Sequence, residues 1–221
     1  MSELIVRVIG PREQALSRRG EVVVSTVSKA PEDWMRELSP FHLGPVPIYG
    51  GRTSLCMENA WQFAKVYAQH ADAQGLPLPS YWAWAQNGWR QPAIRYPIAK
   101  GAKPLYCLWD GNQLGYIEAR KSVYWELYRN AVRETEGFRR LQEMASRHSI
   151  SLFDFDGYDH DARGMTLADV IENPNRPMGH AFVLKAMLLH GTNVTAKHVI
   201  EIVASSSAEL STAGTSQLAL F

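Results

Sequence analysis

A carboxylate, an amide and an ammonium group recur at helical spacing within the segment CMENAWQFAKVY, residues 56–67. Glu58, Gln62 and Lys65 fall at i, i+4 and i+7, which predicts that they share one helix face, with Trp61 beside them. Such a face can surround a polar ligand, with Glu58 as a catalytic carboxylate and the other three as substrate-binding residues. The alternative is a solvated face, although the segment is rich in aromatic residues and poor in charge.

A second cluster is acidic and follows an apolar run, in the segment SLFDFDGYDHDARG at 151–164. Carboxylates at the end of a strand often hold a metal or act as general acids and bases. We expect Asp156 and Asp159 to be catalytic and Asp154 to bind substrate, with no metal and no cofactor. The alternative is an Asp-rich turn that caps its own backbone.

Three weaker features could contribute to a site. His180 begins a predicted helix, where it could bind substrate in a pocket or simply be a core or capping histidine. Arg95 and Lys100 flank Tyr96 and could meet phosphates, or their loop is merely solvated. An aromatic segment could stack on a base or pack in the core, and its members are Tyr81, Trp82, Trp84 and Trp89.

The elements that must position these residues predict a single α+β domain, mainly helical, with a small sheet. Runs of β-branched residues predict strands at 4–9, 21–27 and 150–155. Apolar residues at helical spacing predict helices at about 54–70, 80–89, 113–133, 136–146, 166–172, 179–190 and 195–203. Pro and Gly exclude a long helix between 31 and 53.

The whole chain has the composition of a globular domain. Its 221 residues are 46% hydrophobic and 20% charged, and the net charge of +1 requires no nucleic acid although a local basic patch could bind it. Cys56 and Cys107 lack any metal-binding spacing, which predicts buried thiols in a reducing cytosol. Neither a secretory leader nor a membrane-spanning run is visible, so we expect a cytoplasmic protein without a membrane partner.

A series of short motifs extends over roughly residues 21–190 and is strongest from 38 to 65. Its members are LSPF at 38–41, the segment 45–48, Gly51, Thr53, Met57, Glu58, Asn59, Gln62, Lys65, KPL at 103–105, Trp109, Arg120, Tyr128, and the segments 154–164 and 179–189. This series resembles the NADAR family, which implies an α+β domain of that type. The chain departs from the family at Asn59, where a His is usual, in the motif MGHAFVLKAMLL, and in an insertion at about 68–92.

The resemblance implies N-glycosidic chemistry linked to ADP-ribose, including removal of ADP-ribose from guanine in nucleic acid. Glu58 would then stabilise the oxocarbenium charge on the sugar, and an Asp of the 154–159 turn would activate water. Lys65 would meet a phosphate or the leaving group, and Trp109 would stack on a base or ribose. Because of the departures, the substrate can differ even where the scaffold is shared.

The sequence ends in QLALF, behind a stretch rich in Ser, Thr, Ala and Gly at 205–216. Gln217, Leu218, Leu220 and Phe221 resemble the peptide with which bacterial and phage proteins dock on the DNA polymerase sliding clamp. The small polar residues predict a flexible tail at 204–221 behind a globular domain at 1–203. Two alternatives stay open: Phe221 packs on its own domain, or the globular part is a non-catalytic protein that binds the clamp.

Overall fold

The computed structural model describes residues 4–13 and 21–217, and it has an α+β fold built on a parallel sheet. Strand β8 lies between β1 and β2, and Ile150 is in register with Val6 on one side and Val22 on the other. All residues of β1 and β8 are buried, as is typical of a parallel sheet that is covered by other elements. The three predicted strands are confirmed as β1 (Val6–Ile9), β2 (Val22–Ser25) and β8 (Ile150–Phe153).

Two small antiparallel sheets differ from the expectations. They are formed by β3 (Val46–Pro47) with β4 (Thr53–Ser54), and by β5 (Lys65–Val66), β6 (Tyr106–Trp109) and β7 (Asn112–Leu114). The helix predicted for 54–70 is wrong beyond Gln62, because Lys65 pairs with Cys107 and adds a strand to β6. The helix predicted from 113 begins later, because Asp110 and Gly111 adopt φ values of 47° and 79° and turn β6 into β7.

The helices otherwise follow the apolar spacing. Thr166 forms the capping box that begins α7, and Gly191 follows the last residue of α8, as expected from the sequence. The helices are α1 (Asp33–Arg36), α2 (Met57–Gln62), α3 (Pro79–Trp89), α4 (Tyr116–Ala119), α5 (Trp125–Val132), α6 (Glu136–Ala145), α7 (Leu167–Glu172), α8 (His180–His190) and α9 (Ala196–Gln217). A π-helical stretch, Arg120–Tyr124, joins α4 to α5, and α9 continues past the expected end near 203.

The core surrounds α8, whose residues from His180 to Met187 are all buried. Within the aromatic segment, Tyr81 and Trp89 are fully buried in the core, whereas Trp82 and Trp84 are half-buried and pack against it. Cys56 and Cys107 are free and buried, as predicted. None of the described helices combines the length and the apolar character that crossing a bilayer requires.

Candidate active site

A cleft of about 560 Å³ lies beside the carboxyl ends of the parallel strands. Residues 27–29 after β2 and 154–156 after β8 line it, as do α2, the π-helical stretch and the start of α8. The remaining lining residues are 39–41, Lys65, 95–96, Tyr116 and 177–179. Ligands of open α/β sheets commonly bind at this end of the strands. The cleft contains most of the residues that the sequence singled out.

Glu58 is held on α2, whose Met57–Trp61 portion is entirely buried. The backbone N–H of Met57 donates to Leu43 O at 2.8 Å, and that of Glu58 donates to Pro40 O at 2.9 Å. These bonds satisfy helix N-terminal amides that would otherwise lack partners, and they fix the first turn of α2. Glu58 is 6% exposed, and burial raises the pKa of its carboxyl group, although Gln62 and the charge of Lys65 act in the opposite direction.

Gln62 links Glu58 to Lys65, although these residues do not share a helix. Lys65 Nζ donates to Gln62 Oε1 at 2.6 Å, and Gln62 Nε2 donates to Glu58 Oε1 at 2.9 Å. An ammonium group can only donate, so Lys65 fixes the orientation of the amide. Burial lowers the pKa of Lys65 to about 8, and its ammonium group lies 4.8 Å from the ring centroid of Trp61.

Asp154 and His180 face each other at the floor of the cleft. His180 Nε2 lies 2.8 Å from the Thr26 carbonyl, so this nitrogen carries a proton and donates. Its Nδ1 lies 3.2 Å from Asp154 Oδ2. Asp154 also accepts hydrogen bonds from the backbone N–H groups of Asp156 and Ala181, at 3.1 and 3.3 Å.

Asp156 lies nearer to solvent and pairs with Arg95. Arg95 Nη2 is 2.9 Å from Asp156 Oδ2, and the two side chains are 36% and 38% exposed. Burial and the charge of Asp154 raise the pKa of Asp156. The turn after β8 therefore presents two carboxyl groups to the cleft, one fixed by backbone bonds and one that water can reach.

Arg120 and Tyr124 enter the cleft from the π-helical stretch. Arg120 is 2% exposed, and its guanidinium group donates to the carbonyls of Val170, Ile171, Asn173 and Arg176 at 2.8–3.1 Å. It thereby satisfies the carbonyl groups at the end of α7. Burial and the charges of Asp154, Glu58 and Asp156 raise the pKa of the Tyr124 phenol.

Two expected site residues lie elsewhere. Trp109 ends β6 and packs edge to face on Tyr49 at 5.0 Å, and it does not line the cleft. Asp159 pairs with Arg7 at 2.6 Å, also outside the cleft. Asp159, His160 and Asp161 are close enough together to hold an ion, but Arg7 and Lys185 already pair with the two carboxylates.

The expected clamp-binding residues cannot be placed against a partner. Gln217 is the last residue of α9, and Leu218, Leu220 and Phe221 lie outside the described residues. The prediction of a flexible tail at 204–221 therefore stays a prediction.

Several cleft residues had no counterpart among the sequence-based candidates. They are Lys29, Tyr116, Tyr124 and Phe155. Phe155 lies between Asp154 and Asp156 in the sequence, and an apolar ring at that position is a signal that could have identified it as a cleft residue. The two tyrosines lie on a helix whose apolar spacing predicts only a core face.

A second cavity, of about 590 Å³, lies between residues 42–47 and α5. Its titratable lining residues are Glu37, His42 and Arg133, and none of them is buried. Buried titratable groups in a concave site are the better indicator of chemistry. The cleft around Glu58 is therefore the candidate active site.

Comparison with known proteins corrects the family expectation. The NADAR assignment is wrong, because the family model that matches, over residues 12–184, is that of the Family of unknown function (DUF6939). The structure gives Asn59 a packing role: its buried amide donates to the carbonyls of Gly88, Gln91 and Pro92 at 2.7–3.1 Å and links α2 to the last turn of α3 and the residues after it. ADP-ribose was implied only by that resemblance and is not carried forward.

The matched residues include every cleft residue described above, from Lys29 to His180. No curated protein matches the chain. Because the family model covers well over half of the sequence, the chain belongs to the Family of unknown function (DUF6939).

Proposed function

We propose that the cleft hydrolyses an N-glycosidic bond in a nucleotide-type substrate. The observation that carries this proposal is the buried carboxyl group of Glu58, with a raised pKa, in one cleft with Asp154 and Asp156. Glycosidic cleavage uses one carboxyl group that gives a proton and another that stays ionised, and different surroundings produce that difference. The cleft contains such a set of carboxyl groups, because Glu58 and Asp154 are buried whereas Asp156 is reached by solvent.

Glu58 would be the general acid. Its raised pKa favours the protonated form, and Gln62 engages only Oε1. Among the described residues no hydrogen bond reaches Oε2, and this oxygen is not sealed from solvent. Oε2 can therefore give its proton to the base nitrogen as the bond between sugar and base breaks.

Asp156 would activate the attacking water, and Asp154 would face the developing charge. The water oxygen bonds to the anomeric carbon, its proton passes to Asp156, and the electrons of the broken bond leave with the protonated base. Asp154 is held by two backbone N–H groups and His180, so it can stabilise the oxocarbenium ion without moving. Exchange with solvent then returns a proton to Glu58 and removes one from Asp156.

The surrounding side chains suit a nucleotide. Lys29 and Arg95 bring positive charge to the side of the cleft where the Asp154–Asp156 turn lies, which suits a phosphate group. Trp61 offers an aromatic wall, with Lys65 above its ring. Lys65 and Gln62 would hold Glu58 in place rather than take part in proton transfer.

A panel of N-glycosides tests the proposal. The parent protein and Glu58→Gln are incubated with NAD⁺, nucleoside monophosphates and short oligonucleotides, and free base is measured by chromatography. The parent should release base from at least one substrate, and Glu58→Gln should lower that rate by about 100- to 10,000-fold. Glu118→Gln, an exposed glutamate on α4, is the matched control and should retain the parent rate. Equal rates for parent and Glu58→Gln would contradict the assignment.

A second candidate function rests on the QLALF residues, Gln217 to Phe221. We propose that they bind the sliding clamp of a bacterial or phage replication system, either to recruit the enzyme to DNA or, if the cleft is inactive, as the protein's main role. Removing 217–221 should abolish binding to a purified bacterial clamp, whereas Glu58→Gln should bind like the parent. Clamp binding by the truncated chain would refute this role. A cytoplasmic location would accord with the free thiols of Cys56 and Cys107.

A further inference from the structure

Exposed aromatic side chains are concentrated at the mouth of the Glu58 cleft. Among the described Phe, Tyr and Trp residues, three are about half exposed to solvent: Phe155 at 56%, Tyr96 at 47% and Tyr116 at 46%. All three line this cleft. We refer to them as the aromatic rim. Rings left in water around a cleft usually have a partner, and the other Phe, Tyr and Trp side chains that the structure describes are buried or half-buried.

The rim continues into a segment with cations and no acids. Residues 73–109 contain Arg90, Arg95, Lys100 and Lys103 and no Asp or Glu. Arg90, Lys100 and Lys103 are exposed, and Arg95 lines the cleft beside Tyr96. Lys29 adds an exposed cation at the cleft, without an ion pair among the described residues.

The geometry points to single-stranded nucleic acid as the substrate class: we propose that the target nucleotide enters the cleft, its neighbours stack on the aromatic rim, and the backbone follows the cationic segment. This inference rests on the proposed N-glycosidase function and makes it more specific. Base stacking on exposed rings together with a cationic path is how proteins hold unpaired strands. An unpaired strand also presents its glycosidic bonds without the cost of opening a duplex.

The chemistry favours this occupant over others. A free mononucleotide would need the cleft and one phosphate site, and it would leave an exposed ring such as Phe155 and cations beyond Tyr96 without a role. Lys100 and Lys103 follow Tyr96 by four and seven residues. Lys100 lies within a turn in which Ala102 N donates to Ala99 O at 3.2 Å, and Lys103 directly follows that turn. An acidic peptide would meet the cations but would not stack on the rings.

Anisotropy of a fluorescent oligothymidine, about 12 nucleotides long, tests the proposal on the full-length chain. Phe155→Ala and Tyr96→Ala should each weaken binding by about 5- to 150-fold. Leu189→Ala removes a side chain that is 49% exposed but lies outside the cleft, and it should have no effect. An oligouridine of the same length shows whether the strand bound more tightly is DNA or RNA.

Salt dependence tests the cationic segment separately. Lys100→Ala and Lys103→Ala should each reduce the slope of log affinity against log salt by about 0.7. Lys197→Ala, whose side chain is 85% exposed on α9, should leave the slope unchanged. Binding of a poly-glutamate peptide as tight as that of the oligothymidine would overturn the proposal, as would rim variants that bind like Leu189→Ala.

The outcomes distinguish this inference from the proposed function. If the oligothymidine binds as expected but no substrate of the panel loses a base, the N-glycosidase proposal fails and the strand-binding proposal stands. If the parent protein releases base from mononucleotides and no oligonucleotide binds, the enzyme proposal stands and the strand-binding proposal fails.

Discussion

Gly179 lies so close to the Asp154 carboxylate that no side chain fits there. A β-carbon at this position would overlap Asp154 Oδ2, which is 3.2 Å from His180 Nδ1 and 3.3 Å from the N–H of Ala181. The carboxylate cannot easily retreat, because Asp154 is 4% exposed and its other oxygen accepts the N–H of Asp156. Gly179→Ala should therefore disturb both the fold and the cleft.

Gly115 provides a matched control. Both glycines precede a helix as its N-cap, with φ and ψ of −74° and 162° at Gly179 and −64° and 166° at Gly115. Replacing either with Ala weakens the cap and restricts the unfolded chain to a similar degree. No atom lies within 4 Å of the β-carbon position at Gly115, so the difference between the two variants isolates the collision.

The collision should cost about 1–3 kcal/mol, the usual range for forced overpacking. For a chain of this length that corresponds to a melting temperature about 2–12 °C below that of Gly115→Ala. Urea denaturation and thermal melts of the two variants measure this difference, and base release measures the effect on the cleft. If the two variants were equally stable and equally active, the packing of Asp154 against Gly179 described here would be refuted.

Three further predictions concern buried charge. Arg120→Met should lower the free energy of unfolding by at least about 3 kcal/mol, because four carbonyls lose their hydrogen-bond donor. Lys121→Met, at the neighbouring residue, breaks only an exposed ion pair and should cost less than about 1 kcal/mol. Urea denaturation of the two variants measures the difference. The pKa of Lys65 falls from 10.5 to about 8 on folding, so between these pH values only the unfolded chain keeps the proton. The parent should therefore lose up to about 3 kcal/mol of stability as the pH falls from 10.5 to about 8. Lys65→Met should lack this pH dependence. If denaturation at pH 8 and pH 10 gave the same change in stability for the parent and for Lys65→Met, the burial of Lys65 would be contradicted. Because folding raises the pKa of Glu58, the parent loses stability as the pH rises through that raised value, and Glu58→Gln should be more stable than the parent at pH 8 while being inactive.

Local patterns predicted the elements that depend on local interactions. The β-branched runs gave the three parallel strands, and helical spacing located α3, α6, α7 and α8. Strand β5 could not be foreseen in this way, because Lys65 leaves the helix only to pair with Cys107, far along the chain. A pairing partner at that separation leaves no periodic signal around residue 65.

The site was foreseen in part, and partly for the wrong reason. Glu58, Gln62 and Lys65 do form one group, but through two side-chain hydrogen bonds rather than a shared helix face. Spacing alone could not separate Asp156 from Asp159. The turn after β8 leaves the first in the cleft and directs the second toward Arg7 on β1.

Solvent isotope labelling tests the central claim most directly. The parent protein is incubated with the panel of N-glycosides in water enriched in oxygen-18, and the products are weighed by mass spectrometry. Hydrolysis of the N-glycosidic bond should place one labelled oxygen on the sugar and none on the released base, and Glu58→Gln should form neither product. The claim would be contradicted if no substrate lost its base, if the label appeared in the base, or if Glu58→Gln matched the parent.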